Sequence, residues 1–246
     1  ALREASLVTG VAPLYFADAL SRNPHLVGRV VTAAMPHGGS ERDFEVIRST
    51  ERPPYLFDPA DRAFHLVYAG AMWPRALPLF ERLLDATALL RETQPELGGR
   101  LRVHFVGTGR SRAAPAGHQV LPHAERRGLS DVVTEHPARV SYADVLNHLV
   151  HASGILIVGS TEPHYTPSKV FQATLARRPI FALLHEQSTA ARLLVEARAA
   201  HVVTFDDTAL PTPERLRDEL AGLLREDYLP ERVRWDVLSA YSARAS

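Results

Sequence analysis

From residue 64 onward, short and continuously apolar runs alternate with longer stretches in which apolar residues recur at helical spacing. The runs at 64–68 (FHLVY), 101–106 (LRVHFV), 132–134, 155–158 (ILIV), 180–184 and 201–205 read as six strands. Between them, 77–91 places Leu79, Leu83, Leu84 and Leu90 on one helical face. A polar helix is predicted near 116–128. A second helix at 142–151 turns Val145, Leu146, Leu149 and Val150 inward. Further helices are predicted at 167–177, 188–199 and 213–225, and an amphipathic one at 231–243. Strands that are apolar throughout belong to a parallel sheet covered on both faces. The pattern therefore predicts an α/β, doubly wound parallel sheet. Ligands of such sheets bind outside the carboxyl ends of the strands. The informative loops are those after Tyr68, Val106, Thr134, Val158 and Leu184.

Residues 1–55 follow another pattern. A strand at 5–11, a helix at 13–21 and a strand at 27–32 precede His37-Gly38-Gly39, and Arg52-Pro53-Pro54 reads as a linker. The chain opens at Ala1, inside what reads as a strand. Residues 1–55 are thus expected to be the remnant of a second α/β domain. Residues 56–230 are expected to form the main sheet domain, and 231–246 a helix returning to the N-terminal part.

Composition narrows the classes. The 28 basic and 28 acidic residues cancel, which is not the basic excess of a nucleic-acid-binding surface. There is no cysteine, so disulfides and thiolate metal sites are out. No apolar run reaches the roughly 18 residues that span a bilayer, and no signal peptide is visible. A cytoplasmic location is the default expectation. The chain has one lysine, Lys169, among 28 basic residues. A genome that favours arginine codons accounts for the arginines but not for the position of the lysine.

That position follows the fourth strand of the main sheet. The loop 159–166 carries Glu162, His164 and Tyr165, and Thr166-Pro167-Ser168 opens a helix. Thr166 is the expected N-cap, with Pro167 in the first turn. Unpaired N–H groups and a partial positive charge at a helix start suit phosphate, and Lys169 adds a full charge. Ser168, Lys169 and Gln172 make a polar face opposite Val170, Phe171, Thr174 and Leu175. Gln172 lies one turn on, about 6 Å along the axis from Ser168. That spacing suits a diphosphate at the helix end and a ribose deeper in. An ordinary capped helix with a solvated lysine is the competing reading.

The run EPHYTPSKVFQATLARRPIFAL resembles the nucleotide-sugar-binding segment of family 4 glycosyltransferases. YAGAMW, VHFVGTG, HPARVSYADVLNHLVHASGILIVGS and STAARLLVEARAAHVVTF resemble other donor-domain segments in the same order. ASLVTGVAPLYFADAL resembles the last strand and helix of the acceptor domain, and the helix around Trp235 the segment that crosses back onto it. The resemblance implies the two-domain GT-B fold, with a Rossmann-like donor domain. It implies transfer of a sugar from a nucleoside diphosphate sugar to a hydroxyl of a sugar, lipid or small-molecule acceptor, with retention, without metal and without a resident cofactor. By position, Thr166, Ser168 and Lys169 would hold the diphosphate, with Arg75 a further basic residue. Gln172 stands where the family usually has a glutamate on the ribose. Arg139 and Val140 would meet the nucleobase, and Glu162 and His164 the sugar. Ten positions separate Glu162 from Gln172, against eight in the family pattern. Family enzymes often place a key polar group in the acceptor domain, so no catalytic residue is assigned. This polypeptide alone is expected to bind nucleotide and turn over poorly or not at all. Peripheral membrane attachment through the missing domain stays open.

Other chemistries find little support. His148 and His151 are three apart on one helix, the spacing of a metal pair, and are expected to be structural, with one exposed. Gly107-Thr108-Gly109 lacks the third glycine of a dinucleotide fingerprint. No Walker lysine motif, no G-x-S-x-G elbow and no acidic D-x-D at a strand end occurs. Trp73 suits either stacking on a donor or packing. A GT-B-fold sugar-nucleotide epimerase and a non-catalytic nucleotide-binding or scaffold domain are the two alternatives. The first needs a carboxylate pair around the sugar, and the second is favoured by Gln172.

Overall fold

The structure is a computed structural model and describes residues 4–50, 52–109 and 117–243. Among these residues the strands are β1 (Leu7–Gly10), β2 (Val31–Ala34), β3 (Phe64–Ala69), β4 (Leu101–Val106), β5 (Val133–His136), β6 (Gly154–Val158), β7 (Ile180–His185) and β8 (His201–Phe205). Its helices are α1 (Pro13–Ser21), α2 (Glu41–Ser49), α3 (Leu77–Thr93), α4 (Pro95–Arg100), α5 (Leu121–Glu125), α6 (Tyr142–His151), α7 (Lys169–Leu175), α8 (Thr189–Glu196), α9 (Pro213–Arg225) and α10 (Trp235–Ser239). The last six strands form one sheet in the order β5-β4-β3-β6-β7-β8, and all neighbours are parallel. This is the Rossmann-like, doubly wound sheet that the apolar runs predict.

Side chains in a strand point alternately to opposite faces, and the sheet uses both. Leu66, Tyr68, Leu156, Val158, Phe181 and Leu183 face one way, against Leu79, Phe80, Leu83 and Leu90 of α3 and Leu216 and Leu220 of α9. Val67, Ile155, Ile157, Ala182 and Leu184 face the other way, against Leu146 and Leu149 of α6, Val170 and Phe171 of α7 and Leu194 of α8. The order reverses between β3 and β6: the chain winds outward from β3 to β5, then returns to the centre. The loops after those two strands run apart and leave a crevice, the place where such sheets take ligands.

The smaller part pairs β1 with β2 in parallel beside α1. α2 buries Phe44 in the same core as α6, and Arg52 pairs with Asp144 at 2.8 Å. At the other end of the chain, the Gly39 N–H donates to the Tyr241 carbonyl, and Ala243 N–H donates to that of Gly39. The Phe171 and Tyr241 rings stack alongside.

Several boundaries differ from the sequence reading. The strand expected at 27–32 is β2, because Leu26 to Val30 close turns whose carbonyls are taken locally. The run at 52–54 is indeed irregular, but α2 ahead of it was not anticipated. Ser40 caps it by accepting from Asp43 N–H, and a single buried Phe44 leaves little apolar signal. The third main strand begins one residue later and extends through Glu135 and His136, polar residues that the apolar criterion rejects. The polar helix shrinks to α5, and residue 116 lies outside the described residues. The helix at 188–199 is shortened to α8, which ends at Glu196 ahead of Arg198 in the left-handed region. The terminal helix breaks into a turn at Pro230–Arg232 and the short α10, since Pro230 starts one turn and Val233 is extended. The helix expected at 167–177 is α7. Ser168, not Thr166, stands at its N-cap, without a side-chain cap bond. Thr166 N–H instead donates to the Tyr15 hydroxyl, which holds it outside the helix. His148, expected exposed or structural with His151, is buried, while His151 is partly buried.

Candidate functional site

The crevice between β3 and β6 is a cavity of about 440 Å³. Its edge is built by backbone pairing that continues past the strand ends. Gly70 N–H donates to Val106 O at 2.7 Å and Met72 N–H to Thr108 O at 2.8 Å. Gly107 and Gly109 N–H groups donate to His136 and Pro137 carbonyls at 2.8 and 2.9 Å. The loops after β3, β4 and β5 are thereby tied into one rim. On the other side, Thr161 N–H donates to Arg75 O at 3.2 Å and joins the loop after β6 to the loop after β3.

Lys169 enters from the first position of α7. Its ammonium lies 4.6 Å from the centroid of the Tyr68 ring and donates to the Tyr68 hydroxyl oxygen at 3.4 Å. That hydroxyl donates in turn to Ala71 O at 3.0 Å. Burial pushes the Tyr68 phenol pKa up, so Tyr68 stays a neutral donor. Gly70 has φ of 138°, and a Cβ there would overlap Lys169 Nζ. Only a residue without a side chain leaves that volume to the ammonium.

Burial, and to a smaller degree the nearby Arg139 cation, lower the Lys169 pKa from 10.5 to about 8. Among the described residues it is in no ion pair with a carboxylate, and no Asp or Glu lines the cavity. A desolvated cation normally has a partner. Lys169 faces the cavity instead.

Ser168, Lys169, Gln172, Arg139 and Val140 all line this cavity. The Gln172 amide lies beside the Tyr142 hydroxyl, and its Oε1 is buried without a hydrogen-bond partner among the described residues. Thr166, Arg75, Glu162 and His164 stand outside the lining residues. Arg75 is two-thirds exposed and pairs with Glu162 at 3.3 Å, on a turn that starts at Pro74. The His164 ring packs edge-on against Tyr15 of α1 at 4.9 Å. Trp73 lines the cavity and is half exposed. Tyr68 and Tyr142 were given no role by sequence, Tyr68 because it read as core strand; Tyr165 was noted only as part of the polar loop. Among the described residues no group of three His, Asp or Glu is placed to hold a metal ion, and no helix is long and apolar enough to cross a membrane.

No protein-family model and no curated protein matches the chain. Solved structures do. WaaG, a glycosyltransferase involved in lipopolysaccharide biosynthesis, matches with a TM-score of 0.67 at 15% identity, over 96% of this chain and 60% of its own. A UDP-forming α,α-trehalose-phosphate synthase from Burkholderia vietnamiensis matches with 0.68 at 13%, over 98% and 58%. An E. coli structure of trehalose-6-phosphate bound with UDP-2-fluoro glucose matches with 0.63 at 17%, over 96% and 57%. The chain thus spans less than two thirds of the length of these structures. At such identities the likeness is one of fold, and the fold is that of the GT-B glycosyltransferases.

Proposed function

We propose that the cavity binds a nucleoside diphosphate sugar and that the chain is the donor-binding part of a glycosyltransferase. The observation that carries this reading is Lys169, a desolvated ammonium facing the cavity with no carboxylate partner among the described residues. Lys169 and Ser168 meet the diphosphate, Gln172 Oε1 accepts from a ribose hydroxyl, and Arg139 and Val140 border the nucleobase. Arg75, Thr166, Glu162 and His164 are not among the lining residues and would reach the donor's phosphate or sugar only when it is bound.

In glycosyl transfer the bond from the anomeric carbon to the diphosphate oxygen breaks, and charge grows on the leaving group. A fixed cation in a water-poor site stabilises that charge. With Lys169 in this role and no carboxylate in the lining, the proposal includes departure without a divalent ion, and retention as in the resembled family. The acceptor would come from a sugar, lipid or small molecule held largely by another domain. The neutral Gln172 favours one other reading, a nucleotide-binding domain without turnover. Donor hydrolysis by the full-length protein would exclude it.

Calorimetry with UDP, GDP and ADP tests the site. At least one should bind, and Lys169→Ala should weaken it by about 1.5–3 kcal/mol, the worth of a charged hydrogen bond. No binding of any nucleoside diphosphate, or equal binding by the variant, removes the reading. Unchanged binding in the presence of EDTA is expected for a metal-free site.

A further inference from the structure

At the opposite ends of α6 and α7 lies a second concavity of about 350 Å³ that shares no lining residue with the first. Ile47, Val150 and Ala176 form its floor, and Arg48, Arg177, Arg178 and His151 its walls. No acidic residue lines it. Among the described residues none of the three arginines is in an ion pair, whereas seven other arginines are. The Arg48 pKa is lowered by burial and then by the cations of Arg177 and Arg178, against a smaller opposing effect of Glu45.

The bland role of such residues is to cap helix ends. Arg178 does donate twice to Val150 O at the end of α6, and Arg48 to Leu175 O at the end of α7. A helix C-terminus carries only about half a negative charge. Two such ends offset roughly one of three guanidinium charges, and about two are left over. Arg177 is also held in the left-handed region, at φ of 57°, with its guanidinium 5.3 Å from the Trp235 ring centroid. The floor is apolar and the walls are fork-shaped donors, which match phosphate oxygens two at a time.

We propose that Arg48, Arg177 and Arg178 form a second anion site that binds a phosphate ester, separate from the donor cavity. The phosphate is carried either by a soluble sugar phosphate or by an anionic lipid headgroup. Arg48 and Arg178 keep free N–H groups beyond their capping bonds.

The chain has two tryptophans, and Trp73 borders the donor cavity. In a Trp73→Phe protein, Trp235 reports the second site alone. Inorganic pyrophosphate should change its emission saturably, chloride at equal ionic strength should not, and Lys169→Ala should leave the response intact. Arg178→Gln should weaken the response about tenfold or more, which is ~1.4 kcal/mol. Arg48→Gln, on an exposed side chain, does the same without touching the α6 end. Sedimentation with phosphatidylglycerol vesicles, against phosphatidylcholine, separates the sources. Pelleting that needs the arginines assigns a lipid headgroup, and a pyrophosphate response without pelleting assigns a soluble ester. Neither response, or responses in both variants equal to the parent's, overturns the site.

Discussion

Replacing Lys169 by methionine should make the protein more stable and weaken nucleoside diphosphate binding by about 1.5–3 kcal/mol. Methionine keeps the unbranched stem and deletes the ammonium. The native pKa falls from 10.5 to about 8. At ~1.4 kcal/mol per unit, this displacement corresponds to a penalty of about 3 kcal/mol for holding the charge in the folded state. The Tyr68 ring under the ammonium returns ~0.5–2 kcal/mol, and the partial exposure of the side chain reduces the penalty further. The net gain for Lys169→Met at pH 7 is therefore about 1–2 kcal/mol, and for a domain of this size about 2–8 °C in Tm. The sign with pH follows from proton counting. Between about pH 8 and 10.5 the unfolded chain holds a proton that the native state has lost, so the parent gains stability as pH rises. Below pH 8 the penalty is fully present, and above 10.5 it is gone. Urea denaturation of both proteins from pH 7 to 10.5 should show the gap closing over that window. A methionine variant less stable than the parent at pH 7, or a gap that does not close, would mean that the ammonium already has a partner in the folded chain, and the anion site would lose its main support.

Other perturbations separate the parts of the site and its frame. Gly70→Ala forces a side chain into a positive φ and onto Lys169 Nζ; thermal melts should show a loss of about 1–3 kcal/mol, with weaker UDP binding in calorimetry. Glu135 accepts from the Gln119, Val120 and Leu121 N–H groups and the Thr108 hydroxyl; Glu135→Gln turns a donor toward those donors, and urea denaturation should register about 1–3 kcal/mol lost. The His104 pKa is lowered from 6.5 to about 4 by burial and then by neighbouring His65 and His148. The unfolded chain thus takes up a proton first, and stability should fall as pH drops from 6.5 to 4, with a smaller slope in His104→Phe. Arg75→Ala breaks an exposed ion pair with Glu162 and should change stability by less than about 1 kcal/mol.

The main sheet is legible in sequence because its six strands are buried on both faces. Such strands appear as unbroken apolar runs, and ILIV and IFALL have no competing interpretation as exposed helix. Where burial is one-sided or the end of an element is held by polar contacts, the pattern fails. The Glu135 carboxylate, on β5, gathers the N–H groups at the start of α5, a role that no hydrophobic count registers. α2 went unread because only Phe44 is buried on it, and its position is set by contacts with α6, about a hundred residues away in sequence, such as Tyr142 to Asp43.

The cavity was legible only along one segment of chain. Ser168, Lys169 and Gln172 are spaced by a single helical turn, so local periodicity places them together, and the structure puts all three on the cavity wall. Periodicity says nothing about what Lys169 meets on the far side. Gly70 and Tyr68 lie about a hundred residues earlier, and they face Lys169 because β3 and β6 are neighbours at the point where the strand order reverses. Gly70 read from sequence is a strand-ending turn, and any residue tolerating positive φ would serve there. In the fold a side chain there would displace the cation. The same juxtaposition alters the reading of the helix start. Thr166 is not its cap, α7 is two turns long, and a short helix end contributes little field on its own. The electrostatic weight of the site therefore rests on one largely desolvated ammonium held over an aromatic ring. That is why a single substitution at Lys169 is expected to move stability and ligand affinity in opposite directions.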